Sequence, residues 1–231
     1  MTAELKASRS DTTLILTFSN PGQCNAPDGN VLAAAVETLS KAERDDSVRA
    51  IIVTGADGDF CGGIYTGKDF SEKISALENL HSLIEAICSF PKPIMAAVEG
   101  VVADAGFSLA LACDLIVAAQ SSRFSINATH GSVGAVGGAG WFLQKALPSQ
   151  LVSEIFFDAQ PIHAPRLQAA GVVNKVAADG ATLDQALTWA EHLALAPAAQ
   201  FVRIKTALSQ GTTATLSEIF TAEKHNLLTS I

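Results

Sequence analysis

Residues 92–114, Lys-Pro-Ile-Met-Ala-Ala-Val-Glu-Gly-Val-Val-Ala-Asp-Ala-Gly-Phe-Ser-Leu-Ala-Leu-Ala-Cys-Asp, constrain the fold more than any other stretch of the chain. Ile94 to Val98 is a short apolar run bounded by Pro93 and Gly100, which predicts a buried strand. Ala105 to Cys113 has no breaker after Gly106 and contains the helix formers Leu109, Ala110, Leu111 and Ala112. A strand that passes through small residues into an apolar helix opens a βαβ unit. The first N–H groups of such a helix have no partner within it, and its dipole favours negative charge. A ligand oxygen that reaches the small residues of this turn therefore meets backbone donors. The turn is a candidate oxyanion hole.

The rest of the chain alternates in the same way. Thr13 to Ser19 reads as a strand ending at the turn Asn20-Pro21-Gly22. Val31 to Arg44 has helical apolar spacing, and Val48 to Thr54 is a second strand followed by a Gly/Asp loop. Asp69 to Cys88 predicts a long amphipathic helix with Ile74, Leu77, Leu80, Ile84 and Ile87 on one side. Ile94 to Glu99, Leu115 to Ala118 and Val172 to Val176 are the third, fourth and fifth strands. This order predicts an α/β fold with a mostly parallel sheet. After residue 180 the pattern is helical only: Leu183 to Leu195, a break at Pro197, Ala198 to Leu208, then Leu216 to Leu228. The expected organisation is a core over 1–180 and a C-terminal helical region over 181–231.

Composition limits the partners. The formal net charge is −8 and no Lys/Arg cluster occurs, which argues against nucleic acid. No apolar run approaches a membrane span, so no membrane partner is expected. The N-terminus Met-Thr-Ala-Glu has no charged-then-apolar leader and reads as cytoplasmic. Hydrophobic residues make up 48% of the chain, a surplus that suggests a subunit interface and hence a homo-oligomer. Cys24, Cys61, Cys88 and Cys113 are widely scattered, which reads as free thiols, and no His/Cys/Asp/Glu clustering suggests a metal.

Four blocks resemble a known family. They are the 92–114 segment, Asn20-Pro-Gly-Gln-Cys-Asn-Ala26, Asp59-Phe-Cys-Gly-Gly-Ile64, and the Gly-rich stretch from Arg123 to Trp141. Together, in this order, they are similar to the crotonase (enoyl-CoA hydratase/isomerase) superfamily. Ser108 and the tail Trp141-Phe-Leu-Gln-Lys-Ala-Leu-Pro148 are most similar to a bacterial subgroup of enoyl-CoA hydratases and alternative-type oxepin-CoA hydrolases. The resemblance implies a crotonase-like ββα spiral core with a C-terminal helical appendage, assembled as a homotrimer or homohexamer. It implies an acyl-CoA substrate, with coenzyme A brought as part of the thioester and no cofactor bound permanently. The chain stops at Ile231, short of the usual end of the family, so the helical tail reads as truncated.

By position in the motifs, the resemblance gives the two oxyanion donors to the backbone N–H groups of Ile64 and Ala105. It gives the CoA-binding backbone to Cys24, Asn25 and Ala26 with Gly62, Gly63 and Gly106. The acyl pocket would be lined by Phe60, Tyr65, Phe107, Ala128, Val136 and Trp141, the chain lying along Phe60, Phe107 and Trp141. Such a backbone donor is worth about 3 kcal/mol, because it acts on charge that develops at the transition state.

The acidic residues are where the chain departs from the family. Ser108 and Ala128 stand where hydratases carry Glu, and Val136 where the most similar subgroup carries Asp. None does carboxylate work. Ser108 either positions water or bonds back to the preceding helical turn. Asp104, at a position usually Gly in the family, is either a helix N-cap or a relocated acid/base, and it would also compete for the hole's donors. His130, two residues beyond Ala128, has an ordinary pKa of about 6.5 that suits proton transfer; it is otherwise an ordinary surface or core histidine. Gly131, Gly134, Gly137, Gly138 and Gly140 match neither a dinucleotide fingerprint nor a P-loop. The leading expectation is a hydratase/isomerase-like enzyme with Ile64, Ala105, Asp104, His130 and Ser108 as catalytic candidates. The rivals are a silent acyl-CoA binder and a CoA-thioester hydrolase or decarboxylase.

Overall fold

The computed structural model describes residues 2–65, 69–126 and 136–210. In chain order the elements are β1 (Glu4–Ser10), β2 (Thr13–Ser19), α1 (Gly29–Glu43), β3 (Ala50–Gly55), α2 (Phe70–Ser89), β4 (Ile94–Val98), β5 (Val101–Ala103) and α3 (Ala105–Ala112). There follow β6 (Leu115–Ala119), β7 (Arg123–Ser125), α4 (Ala139–Ala146), α5 (Ser149–Asp158), β8 (Ile162–His163), α6 (Ala164–Ala169), β9 (Lys175–Ala177), α7 (Thr182–Ala194) and α8 (Ala198–Gln210). Six strands form one sheet in the order β1-β2-β3-β4-β6-β9, and β5-β7-β8 form a second. In the large sheet only the β1 edge is antiparallel.

The expected strands are present, with one shift. The fifth begins at Lys175 rather than Val172, because the Asn174 side chain accepts from the Ile116 N–H and Val172 and Val173 turn back onto the Leu167 carbonyl. The stretch after Gly100, read as a turn, holds the short strand β5. It pairs with β7 in parallel through Val101↔Arg123 and Ala103↔Ser125. Three residues are too few for periodicity to register.

Period-two alternation sorts the central strands onto two faces. Ile51, Val53, Ile94, Ala96 and Val98 face the larger core, shared with α1, α2 and α3. Ala50, Ile52, Met95, Ala97 and Val117 face the other side, where Ala186 and Ala190 of α7 meet them. Alanines on α7 let the helix lie close to the sheet, and Glu99 fixes its start by accepting from the Thr182 N–H and hydroxyl. The helix expected over 216–228 lies outside the described residues. No helix among the described residues is long and apolar enough to cross a membrane.

Candidate active site

Three turns meet at the C-terminal ends of the central strands. The first is the loop from Asn20 to Pro27, which two side-chain amides hold. Asn25 Nδ2 donates to the carbonyls of Ala56 (2.7 Å) and Asp59 (2.8 Å), and its Oδ1 accepts from the Asn20 N–H. Asn20 Nδ2 donates to the Ala26 carbonyl at 2.7 Å. Cys24 and Asn25 both adopt left-handed backbone, φ 45° and 57°, which Asn tolerates better than most residues. Asn25 and Ala26 are buried, while Cys24 is exposed. The Asn25 side chain is thus committed to bracing the loop whose backbone is expected beside CoA.

The second turn runs from Phe60 to Tyr65. The Gly62 N–H donates to the Cys24 carbonyl at 2.7 Å and the Tyr65 N–H to the Pro27 carbonyl at 2.9 Å. A Cβ on Gly62 would lie 2.7 Å from Cys24 Cβ, so only glycine lets the two turns close. Cys61 is wholly buried, pairs with Val102 in a parallel bridge, and its thiol donates to the Gly63 carbonyl at 3.2 Å. Burial pushes that thiol up to about 12.

The third turn is the start of α3. A Cβ on Gly106 would come within 2.1 Å of the Cys61 carbonyl oxygen, so this glycine too is required by contact with the second turn. Asp104 sits at φ 49°, ψ −113°, a conformation suited to glycine. Its N–H donates to the Ser125 carbonyl and its own carbonyl accepts from the Ser108 N–H. The capping role open to Asp104 is not realised: its side chain makes no capping bond to the first turn of α3. Asp104 Cβ instead lies 3.9 Å from where a Gly63 Cβ would be, between the second and third turns.

Ile64 and Ala105 therefore each follow a residue at positive φ, Gly63 at 138° and Asp104 at 49°. Neither N–H donates a backbone hydrogen bond among the described residues. Ala105 is buried and Ile64 partly buried. Two amide donors on adjoining turns, neither used by the backbone among the described residues, suit an oxygen that gains negative charge, whereas an ionised Asp104 beside them would oppose that charge.

Ser108 is fully buried and donates to the Val136 carbonyl at 2.5 Å, with a longer contact of 3.5 Å to the Asp104 carbonyl. Its proton ties α3 to the segment before α4. The same segment is closely packed, since a Cβ on Gly137 would lie 2.7 Å from Ile84 Cδ1 and 2.9 Å from Ser108 Cβ. The acyl wall expected along Phe60, Phe107 and Trp141 is not presented as one surface. Phe60 and Phe107 are sealed in the core, Phe107 edge-on to Phe124, because their faces complete the packing behind the turns. Trp141 is 60% exposed with the Lys145 ammonium 3.5 Å from its ring. His130 and Ala128 lie outside the described residues. Open space lies instead around exposed Tyr65, in a cleft of about 410 Å³ reaching Asp28, Glu72 and Ser75 and another of about 300 Å³ reaching Asn20 and Gln23. Among the described residues no group of His, Cys, Asp and Glu is placed to hold a metal.

Residues 8–231 match the enoyl-CoA hydratase/isomerase family over nearly the whole chain. The chain belongs to that family. An enoyl-CoA hydratase from Polaromonas sp. JS666 superposes with a TM-score of 0.93 and 35% identity, covering 97% of this chain and 90% of its own. A 2,3-dehydroadipyl-CoA hydratase of Escherichia coli K12 is 31% identical over 195 residues, 83% of this chain and 76% of its own. A 1,2-epoxyphenylacetyl-CoA isomerase of the same organism is 28% identical over 216 residues, 88% of this chain and 80% of its own. The crotonase fold is thus shared with solved structures. The motif resemblance had named Asn25 for CoA binding through its backbone and had given no role to Asn20 or Cys61; the bracing roles depend on which carbonyls the fold brings within reach.

Proposed function

We propose that this crotonase-family chain processes acyl-CoA thioesters in the manner of an enoyl-CoA hydratase/isomerase, holding the thioester oxygen between the N–H groups of Ile64 and Ala105. The observation that carries the reading is the pair of amides on adjoining positive-φ turns, neither donating to the backbone among the described residues. CoA-thioester enzymes among the relatives support the substrate class. As a proton or nucleophile is exchanged on the acyl group, negative charge collects on the thioester oxygen and the two donors stabilise the enolate. Asp104, whose backbone leads directly into the Ala105 amide, is the group assigned to move the proton, with His130 as the other candidate. Coenzyme A arrives as part of the substrate, against the loop of Cys24, Asn25 and Ala26 and the glycines 62, 63 and 106. The reading extends to a cytoplasmic homotrimer or homohexamer, supported by exposed Leu195, Val202 and Leu208.

One observation favours a second reading. With Ser108 bound to the Val136 carbonyl in place of a carboxylate, the hole stands without the usual acids, which suits a thioester hydrolase, a decarboxylase or a silent acyl-CoA binder. Mass-spectrometric turnover of a panel of acyl-CoA thioesters, with Asp104→Asn alongside, separates them. Addition of water or isomerisation, lost by at least about 100-fold in Asp104→Asn, is the expected result. Release of free CoA or carbon dioxide at an unchanged rate in the variant overturns the first reading in favour of the second. No turnover by folded protein that still binds acyl-CoA assigns the silent binder.

A further inference from the structure

The two peptides that carry the proposed donors are each held at the far end. In a trans peptide the C=O and N–H share one plane and point in opposite directions, so whatever holds the carbonyl oxygen fixes the aim of the N–H. For the Asp104–Ala105 peptide the hold is helical, the Ser108 N–H donating to the Asp104 carbonyl at 3.2 Å. The Gly63–Ile64 peptide has no helix to hold it, and Gly63, at φ 138°, has the widest conformational freedom of any residue type. Its carbonyl accepts from the Cys61 thiol instead. Cys61 is itself immobilised. Its N–H donates to the Val101 carbonyl at 3.1 Å, its carbonyl accepts from the Ala103 N–H at 2.9 Å, and it packs directly on Gly106.

Resting on the oxyanion-hole reading above, we propose that Cys61 is a positioning residue whose thiol, by bonding the Gly63 carbonyl, locks the Ile64 N–H on the thioester oxygen and polarises it. Hydrogen bonds in series strengthen one another, so a donor at the carbonyl end makes the amide at the other end a better donor. Burial, which pushes the thiol up to about 12, keeps its proton in place at physiological pH and makes it a poor nucleophile. The residue thus orders the second turn much as the helix orders the third.

The test is isotope-edited infrared spectroscopy of acetyl-CoA labelled at the thioester carbonyl, bound to wild type, Cys61→Ala and Cys61→Ser, with kcat and KM measured on whichever thioester is turned over best. Wild type should lower the carbonyl stretch relative to free acetyl-CoA. Cys61→Ala should lose part of that downshift and about 10-fold in kcat with KM within about 2-fold. Cys61→Ser, which restores an O–H donor, should recover both. A downshift and kcat unchanged in Cys61→Ala overturn the role of Cys61 and leave the hole standing. No downshift in wild type overturns the hole, and this inference with it. Should Cys61→Ala not fold, the S–H stretch of wild type, assigned by its loss in Cys61→Ser, decides: a frequency lowered by hydrogen bonding supports the proposal, and that of a free thiol overturns it.

Discussion

Asp104 shows how one side chain can conflict with its backbone. An L-residue at φ 49°, ψ −113° crowds its Cβ against the adjoining carbonyl, which costs on the order of 1 kcal/mol that glycine avoids. Asp104→Gly should therefore raise stability by about 1 kcal/mol in urea denaturation while turnover of the best acyl-CoA falls. A variant that is stabilised and fully active would remove Asp104 from the chemistry and leave only its strain. At this scale the sequence was partly legible. The oddity of a carboxylate before Ala105 stood out in the motif, and Gly62 and Gly106 were named there, though for CoA binding rather than for the contacts with Cys24 and Cys61 that require them. What Asp104, Ser108 and Phe60 touch was not legible. A hydroxyl that finds the Val136 carbonyl 28 positions away, or a ring sealed behind a turn, follows from tertiary packing that no local pattern encodes.

At the scale of elements, the site depends on turns held by side chains rather than by regular structure. Asn25 links the first loop to the Ala56 and Asp59 carbonyls and to the Asn20 N–H, three bonds from one buried amide. Asn25→Ala would strand those backbone groups away from water. It should destabilise the protein by about 2–4 kcal/mol and raise KM for acyl-CoA, measured by chemical denaturation and steady-state kinetics; a loss under about 0.5 kcal/mol would show that water replaces the brace. Most of the longer helices and strands were readable because each carries several periods of its pattern; the edge strand β1, exposed along most of its length and so without alternation, and the helix α5 were not read. The second sheet was not, since β5 and β7 have three residues each and β8 two, and they are strands through their pairing with one another, flanked by the Cys61–Val102 bridge and the Asp104–Ser125 bond.

Across the whole molecule, two buried thiols couple stability to alkaline pH. Burial raises both Cys61 and Cys113, whereas the unfolded chain ionises them near their ordinary value of about 8.5. Above that pH the unfolded state binds fewer protons than the native state, so stability falls as pH rises. Each buried thiol contributes on the order of 1 kcal/mol per pH unit until the folded group itself titrates. Lys92, which burial lowers, acts in the opposite sense, so the clean comparison is a difference. Denaturation midpoints of wild type and Cys113→Ala, followed from pH 8 upward, should converge as the alkaline loss in wild type exceeds that in the variant. Parallel curves would show that the thiol is not shielded.

The alanine face of α7 has a consequence for the order in which the chain matures. Ala50, Ile52, Met95, Ala97 and Val117 are all synthesised before Thr182, yet the helix that shields them begins only there. A nascent chain on the ribosome therefore carries a sheet finished on one side and bare on the other. That bare side is the surface on which a chaperone would act, or on which two unfinished copies would stick together, until α7 has been made.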